Sequence, residues 1–165
     1  MTTIRPCQAE DAAYLASIYN HYVTNTIVTF EETPVDAQEM RARLSQVAAS
    51  SLPWLVTEAD ERVVGYAYAT PWKPRSAYRF AVEVTIYLDP EYIGQGLGID
   101  LYRALFSHLR QDNIHTAFGG IALPNPASVA LHEKLGMIKV AHLEEVGYKF
   151  NRWVDVGYWQ TKLTT

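Results

Sequence analysis

The stretch from Ala81 to Arg110 limits the fold more than any other part of the chain. Ala81-Val82-Glu83-Val84-Thr85-Ile86-Tyr87-Leu88 alternates cleanly, with Val82, Val84, Ile86 and Leu88 on one face and Glu83, Thr85 and Tyr87 on the other. That two-residue period is the signature of a strand. Asp89-Pro90 ends the run, and Gly94-Gln95-Gly96-Leu97-Gly98 leads into a helix predicted through about Arg110, because Leu97, Leu101, Leu105 and Leu109 repeat every four residues. A strand, a glycine-rich loop and an amphipathic helix in this order must lay the leucine stripe against a sheet, which demands a layered α/β architecture.

The flanking sequence supplies the rest of the layers. Ile4–Cys7 reads as a short strand, and Leu15, Ile18, Tyr19 and Tyr22 recur at helical spacing behind the acidic start Glu10-Asp11. A second helix is predicted from Thr33-Pro34, with Thr33 as N-cap, Pro34 at the first helical position and Met40, Leu44 and Val47 facing inward. Val28-Thr29-Phe30-Glu31 is a loop or short extended piece between the two. Trp54–Glu58 and Val63–Thr70 are strands joined by Ala59-Asp60-Glu61-Arg62, so they should pair antiparallel. Thr116–Leu123 is a further strand. Asn125 caps a short helix with Pro126 at its first position, and Gly136 closes it. Met137–Leu143 and Trp153–Leu163 are the last strands, with Glu144–Asn151 as the loop between them. The whole is a mixed α/β (α+β) chain, hairpins first and then strands alternating with helices, with no repeat and no linker, and is expected to be one domain over 1–165.

Composition narrows the function. The chain has 165 residues, 48% of them apolar, with 11 Tyr, 5 Phe and 4 Trp, enough to build a core. Eighteen acidic against 14 basic residues give 14 − 18 = −4, so no sequence-wide cationic field exists to hold nucleic acid or an anionic membrane. One cysteine, Cys7, excludes an internal disulfide and a cysteine-rich zinc site. The start Met1-Thr2-Thr3-Ile4-Arg5-Pro6 has no signal-peptide core, and no run of about 18 apolar residues occurs. The expectation is a soluble protein of the reducing cytoplasm. The histidines His21, His108, His115 and His142 have no mutual ligand spacing with each other, so no metal is expected.

Glycines at alternate positions 94, 96 and 98 clear side chains from a helix entrance, where several N–H groups and the positive helix end can face a phosphate. A tight strand-to-helix turn would use the same glycines for geometry alone. A Walker loop needs Gly-Lys-Ser/Thr and a dinucleotide fingerprint needs Gly-x-Gly-x-x-Gly; neither is present.

Seven blocks in one order carry more information than the loop alone. They are Ile18-Tyr19-Asn20-His21-Tyr22, Thr29-Phe30-Glu31, Tyr78-Arg79-Phe80, Val82-Glu83, the glycine loop, Leu131-His132-Glu133 with Leu135-Gly136, and Val146-Gly147-Tyr148-Lys149-Phe150 with Arg152-Trp153. Together they resemble the GNAT acetyltransferase superfamily over nearly all of the chain, and within it the phosphinothricin and methionine sulfoximine N-acetyltransferases. The resemblance implies a GNAT fold, a mixed sheet of six or seven strands with about four helices and a splayed cofactor cleft. It implies acetyl-CoA as donor, with the pyrophosphate on the amides of Gly94, Gln95, Gly96, Leu97, Gly98 and Ile99 and the pantetheine arm along Ile86, Tyr87 and Leu88. Asn125 would bond the pantetheine, and Ser128 would lie near it. It also implies a homodimer whose acceptor-site loops come from both chains. Two positions depart from the family pattern: Ile93 stands where Arg or Gln is common, which should weaken CoA affinity, and Met137 stands where Phe is usual, a core change of similar volume.

Acetyl transfer to an amine needs a base, because an aliphatic ammonium has no free lone pair, and a proton for the departing thiolate. Glu83 is the first candidate base: it is the only charged residue between Arg79 and Asp89 and lies beside the expected cofactor edge. His132, seven residues after Asn125 and two helical turns along, is the second proton carrier, as acid or as relay. Trp72, Arg75, Ser76, Ala77, Tyr78 and Arg79 form a basic and aromatic loop suited to an amino acid's carboxylate, since arginine grips such oxygens with a bidentate fork. Phe30 would wall the acceptor pocket, while Lys149 and Trp153 would either close the site or lie at a dimer contact. The expected reaction is direct attack by the amine in a ternary complex. A polyamine or aminoglycoside acceptor would want acidic walls, and a non-catalytic acyl-CoA sensor would bind donor without turnover; both remain as rivals.

Overall fold

The structure, a computed structural model, describes residues 1–164. These residues form seven strands and four helices, in the order β1 (Thr2–Pro6), α1 (Ala12–Asn25), α2 (Ala37–Ala49), β2 (Trp54–Ala59), β3 (Arg62–Pro71), β4 (Ala81–Leu88), α3 (Leu97–Gln111), β5 (Thr116–Leu123), α4 (Pro126–Lys134), β6 (Ile138–Lys149) and β7 (Arg152–Lys162). The strands form one open sheet in the order β1-β2-β3-β4-β5-β7-β6. Neighbours are antiparallel except β4 and β5, which run parallel.

Alternation along β4 divides the core as its sequence requires. Val82 and Val84 turn to one face, where the α3 residues Leu101, Leu105 and Leu109 pack with Ile121, Met137 and Trp159. On the opposite face α1 and α2 bring Leu15, Tyr19, Met40 and Val47 onto Trp54, Val56 and Tyr66, and Tyr87 joins the aromatic layer with its ring 5.6 Å from that of Tyr66. The β2–β3 hairpin turns on Asp60 and Glu61, both left-handed, which matches the right-handed twist of the paired strands.

Three expectations are corrected. α2 starts at Ala37 with Asp36 as N-cap, not at Pro34 behind Thr33: the Asp36 carboxylate accepts a 2.8 Å hydrogen bond from the Glu39 N–H. An acidic cap there also meets the positive helix end, which a threonine hydroxyl three residues earlier does not. The supposed loop Glu144–Asn151 is strand for most of its length, since β6 continues to Lys149 and the turn is confined to Phe150 and Asn151, both with positive φ. A register shift between Leu143 and Gly147 absorbs the polar Glu144-Glu145 as an irregularity within the β6–β7 pair. β1 lies two residues earlier than Ile4, and a turn of 3-10 helix at Ala9–Asp11 precedes α1.

The feature that positions a site is the parting of β4 from β5. The pair is matched only at Ala81–Thr116, Val82–Ala117 and Glu83–Phe118. Beyond Glu83, β4 stays with β3 as far as Leu88, and β5 stays with β7 as far as Leu123. Each strand follows its outer partner, and a wedge opens between them.

Candidate active site

The wedge is lined by Glu83, Thr85 and Tyr87 of β4, Tyr102 of α3, Gly120 of β5, and Asn125, Ser128 and His132 at α4, with Val28 above. Glu83 sits at its closed end, on the last matched pair. No hydrogen-bonding partner reaches its carboxylate among the described residues; burial drives its acidity down, holding the pKa above the ordinary glutamate value, and Lys73 opposes this weakly. A Cβ on Gly120 would lie 3.2 Å from Glu83 Oε1 and 3.1 Å from Tyr158 Cε1, so bare backbone is what lets both side chains converge there.

His132 enters from the other strand face and is 3% exposed. Its Nδ1 donates to the Ser128 carbonyl at 2.7 Å, and Nε2 lies 3.3 Å from the Tyr102 hydroxyl. Burial lowers its pKa below that of a free histidine, with the Ser128 bond opposing. A Cβ on Gly119 would meet the ring at 2.7 Å. The adjacent glycines of β5 thus make room on opposite faces, one for each proposed proton carrier. Tyr102 carries no signal of this role in the sequence: it follows Leu101 of the leucine stripe, and nothing local shows that it meets a histidine 30 residues later.

At the mouth of the wedge, Gly94 and Gly96 have φ of +82° and +83°, and nothing lies within 4 Å of where their Cβ atoms would stand. This left-handed backbone turns the chain into α3, whose first N–H groups have no partner within the helix. Gly98 serves packing, since a Cβ there would touch Leu131 and Leu88 at 3.4–3.6 Å. Gln95 donates to the Glu91 carbonyl, and Ile93 is 53% exposed beside the loop. Ile86 and Leu88 pack inward, and the Tyr22 hydroxyl donates to the Leu88 carbonyl. Asn125 has a role visible without any ligand: its Oδ1 caps α4 by accepting from the Ser128 N–H at 3.1 Å. Asn125→Ala is therefore expected to cost about 1 kcal/mol in urea unfolding.

The basic loop divides. Trp72 stays on the Glu83 side, stacked on Phe118 with ring centroids 4.4 Å apart and edge-on to Tyr158. Arg75, Ser76, Tyr78 and Arg79 line a separate groove with Asp112 and Ile114, and Ala77 lies in the same exposed 3-10 turn. Within one chain the structure does not bring these residues to Glu83 or His132. Phe30 rests on Gly147 of β6, where a Cβ would come within 2.3 Å of its ring. Lys149 is 1% exposed and donates to the Thr29 carbonyl at 2.8 Å, pinning the loop that carries Val28 and Phe30. Trp153, 62% exposed, faces outward against Tyr148. No group of three or more His, Cys, Asp or Glu is placed to hold a metal among the described residues, and none of the described helices is long and apolar enough to cross a membrane.

Comparison with known proteins gives this geometry a family. A model described as an acetyltransferase (GNAT) domain matches residues 4–157. A phosphinothricin N-acetyltransferase of Alcaligenes faecalis is 39% identical over 162 residues, covering 98% of this chain and 82% of its own. An L-methionine sulfoximine/L-methionine sulfone acetyltransferase of Pseudomonas aeruginosa is 35% identical, covering 98% and 94%. The structure of a phosphinothricin acetyltransferase from Sinorhizobium meliloti in complex with acetyl-CoA superimposes with a TM-score of 0.94 at 34% identity, covering 98% of this chain and 88% of that one. The parted strands, the amides gathered at the start of α3 and these matches across nearly the full length have one explanation: the chain belongs to the GNAT acetyltransferase family.

Proposed function

We propose that the protein is an acetyl-CoA-dependent N-acetyltransferase acting on the amino group of a small amino-acid-like acceptor, of the phosphinothricin or methionine sulfoximine type. One observation carries the reading: β5 releases β4 immediately after Glu83, so a free strand edge runs from a desolvated carboxylate to the amide-lined start of α3. The residues fit the donor. The glycine loop leaves open space in front of its amides, as a pyrophosphate needs, and Ile86–Leu88 offer unpaired backbone on the β5 side to an extended amide-bearing arm.

Acetyl-CoA supplies the activated acetyl group. Glu83, short of solvation and with its pKa raised by burial, removes a proton from the acceptor's ammonium in its ionised form. His132 and its partners manage the proton at the other wall of the wedge. Direct transfer is supported by Cys7, whose thiol is pushed up to about 12, chiefly by burial, and stays protonated, so it is no nucleophile.

We also propose a homodimer. β6 exposes Ile138, Val140 and Val146, at 70%, 51% and 56%, along the free edge of the sheet. A second copy covering this edge would shield these apolar side chains from water. With one cysteine and no disulfide, a reducing cytoplasm suits the chain, and it reads as one domain.

A mass-spectrometric screen with acetyl-CoA tests the reading. The expected result is acetylated phosphinothricin or methionine sulfoximine, with polyamines and aminoglycosides unchanged. Donor binding without acetylation of any amine would make the protein an acyl-CoA sensor.

A further inference from the structure

We infer that Tyr102 is a positioning residue for proton transfer: with the Ser128 carbonyl, its hydroxyl locks His132 as the neutral Nδ1–H tautomer, an imidazole that receives protons at Nε2 and has none to give there. The catalytic consequence rests on the acetyltransferase reading; the tautomer does not.

The chemistry of the partners fixes the assignment. A backbone carbonyl only accepts, so the 2.7 Å contact to Ser128 O requires the hydrogen on Nδ1. Nε2 then carries the lone pair, and the hydroxyl 3.3 Å away must donate to it. Tyr102 is 1% exposed and keeps its proton, because burial drives its acidity far down. Both rings are held: Tyr102 stacks on Phe106 with centroids 5.5 Å apart and meets His132 edge-on at 5.3 Å. The bare backbone of Gly119 seats the imidazole from beneath.

The groups around the ring are few. From α3 comes Tyr102, from β4 across the wedge Glu83, and from α4 Ser128, whose hydroxyl lies 3.5 Å from Nδ1. β5 presents Gly119 and Ile121, and Met137 lies nearby. None of the charged groups in this set is a cation. Glu83 takes the first proton of the acceptor ammonium; the second leaves the nitrogen after attack and is received at Nε2, the Tyr102 hydroxyl turning there from donor to acceptor. The reverse shift returns one proton to the leaving sulfur, so the pair ends as it began.

Nitrogen-15 NMR of the histidine side chains in the full-length protein tests this, with His132→Asn identifying the resonances. Near neutral pH the wild type should show Nδ1 protonated and Nε2 bare. Tyr102→Phe preserves the ring and deletes the donor. It should move the Nε2 resonance and carry the His132 titration to lower pH, because the imidazolium loses its acceptor. It should also lower kcat on the order of tenfold, the worth of one hydrogen bond to a charged group, with the KM for acetyl-CoA unchanged. A wild-type Nε2–H tautomer, or His132 resonances unmoved in Tyr102→Phe, would overturn the inference. If Tyr102→Phe does not fold, the wild-type tautomer still decides. The expected resonances with no acetylated product would retain the pairing and sink the acetyltransferase reading instead.

Discussion

Glu83→Gln is expected to lower kcat by roughly two to four orders of magnitude, the usual worth of a positioned general base, with acetyl-CoA affinity unchanged by calorimetry. The amide keeps the shape of the side chain at the closed end of the wedge but cannot take a proton. The pH profile sharpens the test. Burial raises the carboxyl's pKa, and the working form is the ionised one, so the acid limb of kcat/KM should lie above the ordinary glutamate range and vanish in the variant. Stability should move the other way. A carboxyl whose pKa is raised in the folded state binds more protons there than in the unfolded chain, so its contribution is present at low pH and is lost as pH rises through the folded value. Above that folded value the native protein carries the cost of a desolvated charge, and there Glu83→Gln should melt at a higher temperature than wild type. Turnover near wild type would remove Glu83 from the mechanism.

The second large effect is expected at Gly119. An alanine Cβ would stand 2.7 Å from Cδ2 and Nε2 of His132, closer than packed carbon atoms tolerate, and the ring cannot retreat while Ser128 and Tyr102 hold it. Gly119→Ala should therefore cost about 1–3 kcal/mol in denaturant unfolding, the range for overpacking a dense core. Gly120→Ala makes the informative contrast. Its Cβ would meet Glu83 Oε1 at 3.2 Å and Tyr158 Cε1 at 3.1 Å, on an exposed position where both can give way. It should fold nearly as well as wild type and lose activity by displacing the carboxylate. Equal unfolding free energies for Gly119→Ala and wild type would show that the His132 seat is loose.

These residues also show where sequence ran out. Glu83 was legible because strand alternation and charge are both local: a lone carboxylate in Val-Glu-Val-Thr declares its face. Asn125, Pro126 and the leucine stripe of α3 were legible for the same reason. Thr33 and Asp36 are both respectable caps, and only the observed bond to Glu39 decides between them. Glu144-Glu145 and Gly147 imitate a loop because a bulge and a loop share their polar and glycine-bearing composition, while the pairing of β6 with β7 is a long-range fact. Arg75 and Arg79 stand eight and four residues before Glu83, yet proximity along the chain did not deliver proximity in space. Their loop folds to the groove bounded by Val82, and successive strand residues point to opposite faces. Tyr102 was invisible for the converse reason, since its partner lies on another helix.

The parting of β4 and β5 makes the protein's own hydrogen-bond inventory incomplete where donor is expected to bind. Strand edges elsewhere face solvent at the rim of the sheet; this one lies in its middle, where amides of Val84–Leu88 turned toward β5 have no strand to meet. An extended arm carrying amides would act there as a short inserted strand, mending the ladder from within. Such a ligand should slow hydrogen exchange along β4 and β5 together, and raise thermal stability with its concentration, as any binder of the native state does. Donor recognition would then be legible as the completion of a sheet.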